Sequence, residues 1–129
     1  ILKNIGSFLN NSKGGILLIG VHDNKSITGM NEEINEIHKS DDGFENIFKD
    51  YIKDNLGIIA WNNIETKFIA IDNKKIYQVK CSFSEEKIYI KEHGIEKFPA
   101  RFGPSSELIQ GKQMDDYIKG RDKDRNKKL

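Results

Sequence analysis

The chain has 129 residues, 36% of them hydrophobic and 32% charged, enough for one cooperative core and too few for two ordinary ones. Its 21 lysines and arginines nearly balance 20 aspartates and glutamates, for a net charge of +1, which excludes a general polyanion-binding coat and requires any such surface to be a local cluster. The longest apolar run, residues 16–21, is far short of the roughly 20 residues that span a bilayer, so no membrane partner is expected. Cys81 is the single cysteine, which excludes an intrachain disulfide and a cysteine-built zinc cluster, makes a cytoplasmic setting the default, and reads as a small buried hydrophobe.

Ile1, Ile5, Phe8 and Leu9 recur at helical spacing, and Gly14-Gly15 falls where that helix must turn into the next element. The chain opens inside this helical pattern without an initiator methionine, which reads as a fragment. Residues 16–21 read as a strand covered on both faces and central in its sheet. Ile34 and Ile37 predict a short helix within 31–42. Phe44, Ile47, Phe48, Tyr51, Ile52 and Leu56 predict a longer amphipathic one, with Asp41 or Asp42 as N-cap and Gly57 as its stop. Residues 66–71 and 75–83, separated by Asp72-Asn73, read as a hairpin whose second strand places Tyr77, Val79, Cys81 and Phe83 on one face. A second hairpin is expected from 87–91 and 97–102, with the latter strand near an edge because Pro99 lacks an amide. Met114, Tyr117 and Ile118 suggest a closing helix before a charged tail, 119–129.

The second hairpin carries the clearest chemistry. If Lys91 pairs with Lys97 across a five-residue loop, Tyr89 faces Pro99 and Lys87 faces Arg101, while Ile88, Ile90, Phe98, Ala100 and Phe102 turn to the core. Four cations then surround an aromatic ring on one face. Like charges directly opposite repel, so the cluster suits a phosphate backbone lying across it with a base stacked on Tyr89; it equally suits a solvated face on which lysines discourage edge pairing. Gly14-Gly15 lacks the spacing and following lysine of a phosphate loop, and backbone geometry explains it. Asp23 ends the first strand beside His22, where it serves as a turn former or a ligand, and one carboxylate does not hold a catalytic metal alone. His38 and His93 read as solvent residues, and Trp61 as core.

Ser7-Phe8-Leu9-Asn10-Asn11, Gly14-Gly15, the run from Ile16 through Asp23, Thr28-Gly29, Arg101-Phe102-Gly103-Pro104-Ser105-Ser106 and Tyr117-Ile118-Lys119-Gly120-Arg121 follow one another as in the Schlafen-type AlbA domain, which the chain resembles over nearly its whole length. The resemblance implies nucleic-acid binding, RNA or DNA, through Lys87, Tyr89, Lys91, Lys97 and Arg101, with Ser105 and Ser106 donating to phosphate oxygens. In family members that cleave RNA, three carboxylates hold a divalent cation such as Mg or Mn. Asp23 matches the third of these as catalytic and metal-binding residue, and the other two belong upstream of Ile1, so the fragment is expected to bind without cleaving and without a cofactor of its own. Some bacterial relatives are labelled transcriptional regulators or ATP-binding, though no Walker motif is present here. The expectation is one α+β domain over 1–118, a mainly antiparallel twisted sheet flanked by helices, followed by the tail. The alternative is a protein-interaction or homodimerisation module that pairs through the 97–102 edge strand.

Overall fold

The computed structural model describes residues 1–20, 41–71 and 74–128. Helix α1 (Leu2–Leu9) forms where the apolar spacing places it and buries Ile5, Phe8 and Leu9. After the glycine turn comes β1 (Gly15–Gly20). Helix α2 (Asp41–Leu56) buries Phe44, Phe48, Ile52 and Leu56, a stripe four residues apart. Asp41 and Asp42 both lie in its first turn, where carboxylates complement the helix dipole. Gly57 ends it, and the short α3 (Ile58–Asn62) leads into the hairpin β2 (Ile64–Ile71) and β3 (Lys74–Cys81). The chain closes with β4 (Ile90–Glu92), β5 (Ile95–Phe102), β6 (Ser105–Ile109) and α4 (Gly111–Lys128). The expected tail is therefore helical through Lys128. Among the described residues these elements make a single small α+β domain with two three-stranded antiparallel sheets, and no helix is long and apolar enough to cross a membrane. The expected helix within 31–42 lies outside the described residues up to position 40.

The first sheet has the order β1-β3-β2. This corrects, among the described residues, the expectation that the strand at 16–21 is central and covered on both faces: β3 takes the middle, and of the described strands only β3 is hydrogen-bonded to β1. One face of β1 packs inward through Ile19, while Ile16 and Leu18 on the other are 54% and 57% exposed. A continuous apolar run does not by itself reveal that helices cover a sheet on one side only. That covered side is aromatic. The Tyr77 ring lies 4.8 Å from Phe44, 5.3 Å from Phe48 and 4.8 Å from Phe68, edge-on or tilted, geometries worth about 0.5–1.5 kcal/mol per pair beyond area burial. Burial pushes the Tyr77 phenol up, and it pushes the Cys81 thiol up to about 12.

The second sheet has the order β4-β5-β6, so β5 is its middle strand rather than an edge. Its register also differs by one residue from the expected one: Ile90 faces Lys97, and Lys91 faces Glu96. The cause is the turn. His93 and Gly94 both have positive φ, 54° and 79°, the signature of a two-residue type I′ hairpin, where a five-residue loop was expected. A one-residue slip moves every side chain to the opposite face. The strand it turns over is β4: Ile90 joins Lys97, Pro99 and Arg101 on the face toward α1, instead of sharing a face with Phe98, Ala100 and Phe102, which pack with Met114, Tyr117 and Ile118 of α4.

Pro99 is tolerated mid-sheet because β4 has already stopped pairing at Ile90. Beyond that point the carbonyls of Pro99 and Ile88 both accept from Asn10 Nδ2, each at 2.9 Å, and Ile88 N donates to Asn10 Oδ1 at 3.0 Å. One buried amide side chain stands where a strand would continue, and its NH2 asks nothing of the imide nitrogen. Helix α1 lies between the sheets: Ile5 and Leu9 belong to the core of the first, while Gly6 meets the second. A Cβ on Gly6 would sit 2.6 Å from Pro99 Cγ, so only glycine permits this approach.

Candidate nucleic-acid interface

The two segments that carry the family resemblance meet in space. Ser7 of α1 and Ser106 of β6, 99 positions apart, bring their hydroxyl oxygens to 2.6 Å. Ser7 donates to the Asn4 carbonyl at 2.9 Å, and Arg101 Nη1 donates to Ser106 at 2.8 Å. Each hydroxyl has one proton. The order that satisfies all three contacts runs from the Arg101 guanidinium to Ser106, from Ser106 to Ser7, and from Ser7 to the helix carbonyl, a chain whose members polarise one another. The same guanidinium stacks over the Phe8 ring, 4.9 Å from its centroid. The Arg101 amide donates to Tyr117 Oη at 3.2 Å, which ties β5 to α4. Arg101 is thus fixed from three sides while remaining half-exposed.

Beside it lies a second guanidinium. Arg121 of α4 is 5% exposed. Its Nη1 donates to Asn10 Oδ1 at 3.2 Å and its Nη2 to the Glu85 carbonyl at 3.0 Å, and it covers the Phe83 ring at 4.7 Å. Asn10, Asn11 and Ser12 after α1, Arg101, and Asp116, Tyr117 and Arg121 of α4 line a half-open cavity of about 280 Å³. Among the described residues its walls carry two guanidiniums against one carboxylate; Lys112 engages that carboxylate at 2.8 Å, and Asp122 pairs with Arg121 Nε at 3.7 Å. A larger cavity of about 340 Å³ near Asp54, Lys91 and Glu96 has two carboxylates against one lysine, the wrong sign for a polyanion.

The residues expected on one basic face are divided by the register. Lys97 and Arg101 face α1, and Lys97 is bound to Glu92 at 2.6 Å, which holds the Glu92 carboxyl below its usual range. Lys91 is exposed on the other side, opposite Glu96. Tyr89 is half-buried with its ring edge-on to Phe98 at 5.8 Å. Lys87 is exposed and directly precedes Ile88, the residue clasped by Asn10. Ser105 is exposed at the β5–β6 turn and donates to the Phe102 carbonyl at 3.1 Å. Ser106 is only 9% exposed. Asn10, Tyr117 and Arg121 were not singled out as site residues by sequence reasoning, although all three stand inside the motifs that carry the resemblance. Asp23, with His22, lies outside the described residues. Among the described residues no three His, Cys, Asp or Glu side chains come together to hold a metal ion.

Residues 1–110 match the Schlafen, AlbA_2 family, and the chain belongs to it. No curated protein and no solved structure matches the chain. Membership fits a nucleic-acid-binding domain.

Proposed function

We propose that this domain binds nucleic acid through backbone phosphate, with Arg101 as the anchor and Lys87 as a further contact. The observation that carries this reading is the state of Arg101: a guanidinium held rigid by Ser106 and Phe8, at a cavity of net positive sign, in a chain of nearly neutral overall charge. A preorganised arginine forms charge-assisted, bidentate contacts to phosphate with little further loss of side-chain entropy. Ser106 serves this contact from behind, because its proton is committed to Ser7. Ser105 and Lys97 act as outer contacts, Lys97 the weaker for its pairing with Glu92, while Lys91 lies on the other face beside Glu96 and does not join them. Tyr89 supports the strand more than it offers a stacking face. Contacts of this kind read backbone and shape rather than sequence. The metal-dependent cleavage implied by the family resemblance would require Asp23 to join further carboxylates around a divalent cation. Dimerisation through 97–102 would have only the side that β4 leaves unpaired beyond Lys97, because β6 covers Phe98–Phe102 on the other.

The test is fluorescence anisotropy of labelled single-stranded RNA and DNA with the purified chain across a salt series. Affinity should fall linearly in log–log form with salt, and Lys87→Gln should lower the slope by about one. Absence of binding to every probe at low salt would overturn the reading.

A further inference from the structure

Resting on that reading, we propose that the cavity between the 10–12 turn and α4 recognises a terminal phosphomonoester, the phosphorylated end of a nucleic acid strand, in preference to its internal phosphodiesters. Three observations lead there. The first is size. At about 280 Å³ the recess sits at the lower bound of small-ligand sites, roughly 300 Å³. A recess of that volume has room for one terminal phosphate unit rather than for several nucleotides.

The second is charge. Arg101 and Arg121 line the recess with Asp116 as the lining carboxylate, while Asp122 pairs with Arg121 Nε at 3.7 Å, so the exposed and least compensated charge is that of Arg101. A phosphodiester brings one negative charge, while a phosphomonoester brings about −1.5 to −2 at neutral pH and three acceptor oxygens. Two guanidiniums and a nearby acid therefore favour the more highly charged group, which gains from both arginines and outweighs the repulsion of Asp116. The third is rigidity. Arg121 is locked by Asn10, the Glu85 carbonyl and the Phe83 ring, and Arg101 by Ser106 and Phe8. Arg121 then acts as a fixed buried charge in a medium of lowered dielectric, and Arg101 as the exposed donor. Neither has to be ordered when the phosphate arrives.

The experiment compares one short single-stranded RNA in three forms: 5′-phosphorylated, 3′-phosphorylated, and with hydroxyls at both ends. The readout is the ratio of affinities, phosphorylated over hydroxyl, measured by anisotropy at fixed salt. Wild type should prefer one phosphorylated end by about tenfold or more, the scale of one added charge-assisted contact. The 5′ and 3′ arms identify which end. Asp116→Asn removes the opposing charge from an exposed position on α4 and should widen the ratio; Arg101→Gln should bring it close to one. A ratio of one for wild type, or a ratio that Asp116→Asn leaves unchanged, overturns the proposal while binding to all three probes leaves the broader reading standing. Failure of all three to bind defeats the broader reading itself.

Discussion

The two sheets are held by different means. The first rests on an apolar interior in which Tyr77 sits among Phe44, Phe48 and Phe68. The second has its own smaller apolar cluster against α4 but is tied to α1 by buried polar groups, which the first sheet does not share among the described residues: Asn10 bridges Ile88, Pro99 and Arg121, while Ser7, Ser106 and Arg101 form a linear chain. Apolar burial tolerates small changes of position, whereas hydrogen bonds fix distance and direction. The half of the molecule that presents a preorganised arginine is accordingly the half built from directional contacts, and most of the polar residues in its motifs are committed to one another.

The largest expected effect lies in the apolar half. Phe48→Ala should cost about 3–5 kcal/mol, read from urea unfolding, with the probe ratios above unaltered in the fraction that remains folded. A cost below about 1 kcal/mol would contradict the role given to the aromatic cluster. Asn10→Ala should follow at roughly 2–4 kcal/mol, because the Ile88 amide, two carbonyls and one Arg121 donor lose their partner together in a buried place. Gly6→Ala should cost about 1–3 kcal/mol through the clash with Pro99, and Pro99→Ala should relieve part of it in a double-mutant cycle. Additive losses would mean that the two residues do not press on one another.

Much of this division was legible in the sequence and part was not. Helical spacing located α1 and α2 closely, and the Asp72-Asn73 signal found the β2–β3 hairpin. The second hairpin is the harder one to read because His93 does not announce a left-handed residue as Asn or Asp would; a five-residue loop fits the spacing equally well, and the one-residue difference carries Ile88 and Ile90 to the face opposite Phe98 and Ala100. Pro99 suggested an edge because no local pattern reveals that a distant asparagine replaces the missing strand. Strand β6 went unread since Ser105-Ser106-Glu107 offers little apolar alternation. The motif residues were visible as a pattern, but their mutual hydrogen bonds depend on separations of about a hundred positions, which spacing alone does not encode.

Smaller effects refine the contrast. The Cys81 thiol, raised by burial from near 9 to about 12, is protonated longer in the folded chain than in the unfolded one. Its contribution to stability is full below the unfolded value and is lost as pH climbs from about 9 toward 12, and thiol reagents should label it only on unfolding. Labelling of the native protein at the rate of a free thiol would refute its burial. Leu18→Thr, on the exposed side of β1, should change stability by less than about 0.5 kcal/mol.

The most direct test is Arg101→Gln, with RNA affinity and melting temperature measured on the same preparation. Glutamine retains a donor for Ser106 but carries no charge. The account predicts that affinity falls by about tenfold or more at low salt while the melting temperature moves by no more than about 5 °C. A variant that melts normally and binds RNA as tightly as wild type would contradict it.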